Sequence, residues 1–396
     1  MNLDNTRNIA AEKFKSTGYP SVKDESWRFT DLSLFKTLNF NGAWKQSDLP
    51  YESISDITMV FENGKLSDTK SNTHNLPNGI SLKSINDHNS KNFGSLIDDN
   101  SSFALYNTAN FTDGYYLKIN DNIKSDKVIH IIYLADSEML SCNVRNLIEV
   151  DNNSSITIIE EYIGSLNSTY FTNALTEVIV KDNAEVDHYK IQNESSKAYH
   201  FQTLEANVSK TSCFKNHTIT LGGLLNRNDI RGTLLDQNSN IICNGLYLLK
   251  DQQLFDTHLF MDHAAPSCNS HELYKGILAD KSRGVFCGRI LVQQDAQQTD
   301  AIQSNANLLL SRSAKVNSMP QLEIYADDVK CTHGATIGEL DEAALFYMKT
   351  RGIDPFNANA LLTFAFANEV LDEIDNKSIK QRLEFMIHKW LGEVLS

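Results

Sequence analysis

The chain has 396 residues, 41% of them hydrophobic, enough for a core divided over two or three domains. Its formal net charge is −14 and no basic run could follow a phosphate backbone, so composition argues against a nucleic-acid partner. No apolar run reaches the length of a membrane span, and the opening MNLDNTRNIAAEKFK is charged throughout, unlike a signal peptide. A cytoplasmic location without membrane contact is therefore expected.

Residues 1–101 read as an N-terminal part, helical and then loop-rich. A helical pattern runs from Asn8 to Phe14 and stops at Gly18 and Pro20. From about residue 50 to 100, Asn, Ser, Asp and Lys dominate. A few apolar runs such as Ile57 to Phe61 interrupt an otherwise irregular stretch.

From 102 to 337 the texture becomes β-rich. Short apolar runs recur at Val128–Leu134, Ile156–Ile159, Leu175–Val180, Val186–Ile191, Ile241–Leu249, Val285–Val292 and Leu322–Tyr325. Asn, Asp, Gly and Ser punctuate them, and Pro266 and Pro320 are the only prolines in this region. Composition leaves a sandwich, a propeller and a solenoid open. The crowding of Gln293, Gln294, Gln297, Gln298, Gln303, Asn305 and Asn307 leans toward a solenoid, because amides stack as ladders between repeated rungs.

Residues 338–396 return to a helical period. Gly338 to Thr350, with Leu345 and Met348 on its apolar positions, forms a helix that Gly352 stops. Asp354 before Pro355 is an N-cap followed by proline at N1, opening a helix through Leu361, Leu362, Ala365 and Phe366. Ser378 and Gln381 read as a capping box, and Ile379, Leu383, Met386, Ile387, Trp390 and Val394 then share one face.

The six cysteines, Cys142, Cys213, Cys243, Cys268, Cys287 and Cys331, form no CxxC pair and are expected as free thiols. Cys331 and His333 stand out. They lie two residues apart after an apolar strand-like run, and on a strand such residues point to the same face. A thiolate and an imidazole there suit iron or zinc. Two ligands do not complete a site, so others must come from elsewhere in the chain, a second chain or the cargo. The plainer alternative is a buried cysteine beside an exposed or capping histidine.

A second cluster holds Asp256, His258, Asp262, His263, Cys268 and His271, but its spacing matches no compact zinc motif. Loop and ladder contacts are expected there, with a turn at Pro266 and Ser267. Cys243 and Cys287, among apolar neighbours, read as inward-facing core thiols. Trp27, Arg28, Phe29 and Thr30 read as a packed aromatic with a stacked arginine. GxxxxGK[ST], GxGxxG and GxSxG are all absent, and no cysteine cluster could hold an iron–sulfur cluster unaided.

Four blocks in order carry a family resemblance: ESWRFTDL (Glu25–Leu32), GVFCGRILV (Gly284–Val292), SNANLLLSRSA (Ser304–Ala314) and YADDVKCTHGAT (Tyr325–Thr336). They resemble the SufB/SufD family of iron–sulfur cluster assembly proteins, most densely from His271 to Gly352. Length and the small number of cysteines place the chain nearer the SufD branch. The resemblance implies a mainly β fold, with a right-handed parallel β-helix core flanked by N-terminal and C-terminal α-helical parts. It implies a non-catalytic scaffold that pairs through its β-helix with a SufB-like paralogue. Its C-terminal helices would bind a SufC-like ABC ATPase, where ATP is hydrolysed. Cys331 and His333 would then be ligands to a transient iron–sulfur cluster at the partner interface. A homodimer stays open, and the reduced flavin linked with the family has no motif here. The alternative is a stand-alone β-helix enzyme acting on acidic polysaccharide. Such enzymes use exposed carboxylates or bases along one face and are mostly secreted; here no signal peptide is seen, the charge is strongly acidic and the one distinctive pair is Cys/His.

Overall fold

The computed structural model describes residues 3–88, 90–97 and 101–395. A helix, α1 (Leu3–Thr17), leads through two short 3-10 turns to β1 (Ile57–Glu62), β2 (Lys65–Leu66) and β3 (Ile80–Ser84). After α2 (Ser102–Asn110) come β4 (Tyr115–Ile119), β5 (Lys124–Ala135), β6 (Ser141–Val150), β7 (Ser155–Gly164), β8 (Phe171–Val180) and β9 (Glu185–Asn193). They continue as β10 (Tyr199–Val208), β11 (Cys213–Thr220), β12 (Leu225–Leu234), β13 (Asn240–Leu249) and β14 (Leu254–His263). The last are β15 (Asn269–Leu278), β16 (Arg283–Val292), β17 (Thr299–Leu309), β18 (Lys315–Ile324) and β19 (Val329–Gly338). Three helices close the chain: α3 (Glu342–Thr350), α4 (Pro355–Leu371) and α5 (Lys377–Leu395).

Successive strands alternate between two sheets, one ordered β19-β17-β15-β13-β11-β9-β7-β5-β1-β2 and the other β18-β16-β14-β12-β10-β8-β6-β4-β3. Each turn therefore brings the chain back beside itself in parallel, roughly thirty residues on, which makes a parallel β-solenoid. Rung lengths differ: Tyr199 pairs with Leu225, whereas Arg283 pairs with Lys315. This unequal spacing is why no crisp period shows in the sequence.

One corner of the solenoid repeats a backbone conformation. Asn122, Asn153, Asn183, Thr211, Asn238, Ser267 and Gln298 sit just ahead of the strands of the first sheet with φ between 54 and 63°. Asn tolerates this left-handed region better than most residues. The Asn153 side-chain amide donates to Asn122 Oδ1 at 3.0 Å, and that of Asn183 to Asn153 Oδ1 at 3.2 Å. The amide ladder thus runs along this corner. The amide-rich stretch near residue 300 divides instead: Gln303, Asn305 and Asn307 are buried, whereas Gln293 is held on the outside by Asp262.

Between the sheets lies a continuous core that includes Ile129, Ile131, Ile158, Val178, Leu204 and Met261. The outer face of the first sheet is covered by α4 and α5, with Val370, Leu383, Ile387 and Trp390 against Ile191, Ile219, Leu246 and Leu248. The outer face of the second is covered near the N-terminus by Trp27, Leu32, Phe35 and Phe103, against Phe171, Tyr199 and Phe201.

Sheet structure begins before residue 102, because β1 pairs in parallel with β5 and is wholly buried. Its apolar run reads as isolated in the sequence, since its partner lies far along the chain. The start of α4 has the expected cap, with the Asp354 carboxylate accepting from the Asn357 N–H at 3.0 Å. The start of α5 differs. The Asn376 side chain accepts from Ser378 and Ile379, so Asn376 caps the helix one residue before Lys377 and Ser378 is inside it. The solenoid's two ends are unlike: β2 and β3 close one in antiparallel fashion, whereas β18 and β19 end the other.

Asn153→Ala is expected to destabilise the chain by ~1–2 kcal/mol, since alanine meets the left-handed penalty and breaks the ladder. Asn153→Gly should cost less. Thermal unfolding of both variants checks the order, and equal losses would contradict the conformational argument.

Candidate functional site

The final rung carries the Cys–His pair. Among the described residues β19 is bonded on one side only, to β17, with Ala301 opposite Cys331 and Gln303 opposite His333. Cys331 packs against the interior core together with Leu322 and Val329. Alternation along the strand puts His333 on the same inward face, yet it is exposed, because no further rung covers it. The two side chains expected to share a face are therefore brought together at the open end.

The Cys331 thiol is raised above its ordinary pKa by burial and then by the Asp300 carboxylate. A metal that takes it must displace a proton. Among the described residues, no three His, Cys, Asp or Glu side chains come together as a metal site.

Beneath His333 runs an inward column in register: Cys243, Glu272, Gln303, His333. The Gln303 amide nitrogen donates to the Glu272 carboxylate, and both residues are almost fully buried. Gly288 of the facing sheet makes room, since a Cβ there would overlap the Gln303 amide. Burial pushes the Glu272 carboxyl up to about 8, with the Gln303 hydrogen bond pulling the other way. Nothing in the residue types singles out Glu272 and Gln303. Only the register, set by unequal rungs, stacks them under His333.

His333 also borders a cleft of about 1110 Å³ that passes over β16 and β18 toward Trp27, Arg227, His258 and Cys287. Here the second expected cluster comes apart. Asp256 is buried on the outer face, bonded to Arg227 Nη1 at 2.7 Å, to Thr30 Oγ1, and to His258 Nε2 at 3.1 Å. Burial raises its carboxyl, but Arg227 and His258 outweigh that and hold it below the usual carboxylate range. His263 faces Ser270 at 2.9 Å, and the Cys268 thiol donates to the Asp236 carbonyl at 3.2 Å. Asp262 holds the Gln293 amide on the exposed side, and His271 is exposed. All but the exposed His271 thus make structural contacts.

The block from Glu25 to Leu32 packs over these strands, with Thr30 Oγ1 donating to Asp256. Arg227 stacks on Trp27 at 4.3 Å and Arg28 on Phe29 at 4.5 Å. The aromatic–arginine packing is as expected, although Arg227, from β12, is not visible as a partner in the sequence.

Cys243 is buried as expected, but Cys287 is not an inward core thiol. On β16 the inward positions are Phe286, Gly288 and Ile290. Cys287 faces out, level with His258 and Met319 on the neighbouring strands. Its apolar neighbour Val285 misleads, because Val285 is itself outward and covered by the N-terminal aromatic cluster. Burial, aided by Asp256, pushes the Cys287 thiol up to about 12 against Arg227 and Arg28.

Among the described residues, no helix is long and apolar enough to cross a membrane. Residues 133–366 match the family described as SUF system FeS cluster assembly, SufBD core domain, and residues 1–131 match the SufBD protein N-terminal region. An iron–sulfur cluster assembly SufBD family protein of Synechocystis sp. is 34% identical over 96% of this chain and 89% of its own. The iron–sulfur cluster assembly protein SufD of Escherichia coli is 29% identical over 93% and 88%. The chloroplastic protein ABCI7 of Arabidopsis thaliana is 30% identical over 96% and 84%.

Glu272 supplies a pH test of the column. Below its ordinary value of 4.5 the carboxyl is protonated folded or unfolded; up to about 8 only the unfolded chain ionises, so stability falls as pH rises. Glu272→Gln does not titrate. Its stability should gain on the parent chain by ~2–4 kcal/mol between pH 5 and 8. Denaturation at several pH values measures this, and a pH-independent difference would contradict the burial of an ionisable group.

Proposed function

This chain belongs to the SufBD family of iron–sulfur cluster assembly proteins and is SufD-like, and on that premise we propose that it is a scaffold subunit built to be completed by a partner. The observation that carries the reading is the Cys331–His333 pair on a terminal strand paired on one side only. β18 and β19 each leave one row of backbone N–H and C=O groups without a neighbour, a template for another chain's strands. A SufB-like paralogue adding its own solenoid there would cover the pair and contribute further thiolates. Iron and sulfide are the cargo, and a nascent cluster would be held transiently between the two chains. The chain itself is assigned no catalysis, and its setting is the cytoplasm. A second copy of this chain on the same edge is the competing occupant.

The C-terminal helices offer a second surface. α4 and α5 bury one side against the sheet, while Phe346 (69% exposed), Tyr347, Phe356 (42%) and Leu361 stand in solvent. This apolar ridge on α3 and α4 is where a SufC-like ABC ATPase would dock, supplying the ATP hydrolysis that this chain has no motif for.

His333→Ala should cut cluster assembly in cells dependent on this pathway, with partner binding retained, since the side chain is exposed and the change small. Cys331→Ala should have the same effect or less, because a partner thiolate can substitute. Complementation with partner pull-down as the folding control is the measurement. Full rescue by the double variant would leave scaffolding as the only role. A stable stoichiometric cluster on the isolated chain would equally count against a shared site.

Phe346→Ala with Phe356→Ala should weaken ATPase binding at least tenfold in a pull-down titration while leaving thermal stability nearly unchanged. Unaltered affinity would move the docking surface elsewhere.

A further inference from the structure

We propose that Gln303 is a positioning residue for His333: its side-chain carbonyl accepts a hydrogen bond from one imidazole N–H and leaves the other ring nitrogen free to bind metal. The proposal rests on the reading of His333 as a ligand. Gln303 lies directly opposite His333 on β17, on the same inward face. It is 1% exposed, and among the described residues its Oε1 is buried without a hydrogen-bond partner.

A buried, unpaired amide oxygen costs free energy and calls for an occupant. The amide is held from two sides. The amide nitrogen is drawn toward β15 by Glu272, whose own Oε1 is also buried without a partner among the described residues. Gly288 of the facing sheet bounds the amide across the interior, where any larger residue would displace it. Beyond Gln303 the next residue in the column is His333, about one strand spacing (~4.8 Å) farther out. Its ring is a donor at one nitrogen and an acceptor at the other when neutral, and the hydrogen bond at one decides which is left for a metal. Metal-ligating histidines are held in this way by carboxylates, carbonyls or water. The Glu272–Gln303 pair supplies such a support from the rungs below, and its rigidity comes from burial.

The test reads the ring itself. In the full chain labelled with 15N-histidine, His333 signals are assigned by their loss in His333→Ala. The parent chain should show one predominant tautomer with a slowly exchanging ring N–H. Gln303→Met, close in volume to glutamine, should show two interconverting tautomers. It should also need about tenfold more Co²⁺ to broaden the His333 signals.

Gln303→Met leaves Glu272 without its donor and could fail to fold. Glu272→Met with Gln303→Met removes both polar groups together and serves as the second variant. A His333 ring unchanged in tautomer, exchange and Co²⁺ response by either variant overturns the proposal. If His333→Ala still abolishes cluster assembly in that case, only the positioning role falls. If His333→Ala leaves assembly intact, the ligand reading falls as well.

Discussion

A parallel solenoid satisfies the backbone of each strand with the strands of the turns before and after it. That requirement cannot be met at its ends. At the beginning, β2 and β3 turn back in antiparallel fashion and cap the two sheets. At the finish, β18 and β19 keep one neighbour each. The properties of the site follow from this single missing turn. Cys331 is half-buried because it has an interior below it and nothing above. His333 is exposed although it occupies an inward position. A cysteine and a histidine one turn earlier would be sealed in the core, as Cys243 is.

The interior beneath the site departs from the apolar norm of parallel sheets. Toward the start of the solenoid it includes Ile129, Ile131, Ile156 and Ile158 beside the buried Glu160. Toward the end, inward positions are taken by Glu272, Gln303, Asn305 and Asn307. Polar groups of this kind cost free energy unless bonded. Several are: Gln303 to Glu272, Asn307 to Asn305 at 2.8 Å, and Tyr247 to Asn307. Polar groups are not confined to this end: Glu160 and Lys190 take inward positions in earlier rungs, with Tyr115 donating to Glu160 at 2.7 Å and Lys190 to Asn228 at 2.8 Å.

How much of this could be read from residues alone depended on whether the signal was local. The Asp354–Pro355 helix start and the apolar strands β5, β7 and β9 are local patterns, and each is found where the sequence places it. The shared face of Cys331 and His333 is local as well, needing only a strand. β12 and β14 gave no such signal, because their outward residues are Arg227, Asp229, His258 and other polar groups held by an N-terminal segment far away in sequence. The side on which Cys287 lies, and the stacking of Glu272 and Gln303 under His333, depend on register between rungs of unequal length. No local pattern encodes that register.

The same end of the solenoid joins the two proposed surfaces mechanically. β19 ends at Gly338, and α3 begins at Glu342 with Asp341 as its cap. α3 buries none of its residues, whereas α4 and α5 are anchored by a large apolar cluster on the first sheet. A force applied to α3 by a docked ATPase would reach the strand that carries Cys331 and His333 through three linking residues (Glu339–Asp341), of which Leu340 packs on the cluster that anchors α4 and α5. That strand is held by one ladder of hydrogen bonds where interior strands have two. Its resistance to displacement is correspondingly lower, so movement would be concentrated in β19 and spare the rungs beneath it. The Glu272–Gln303 pair lies in those rungs and would stay fixed, a stationary support against which the proposed ligand pair could shift.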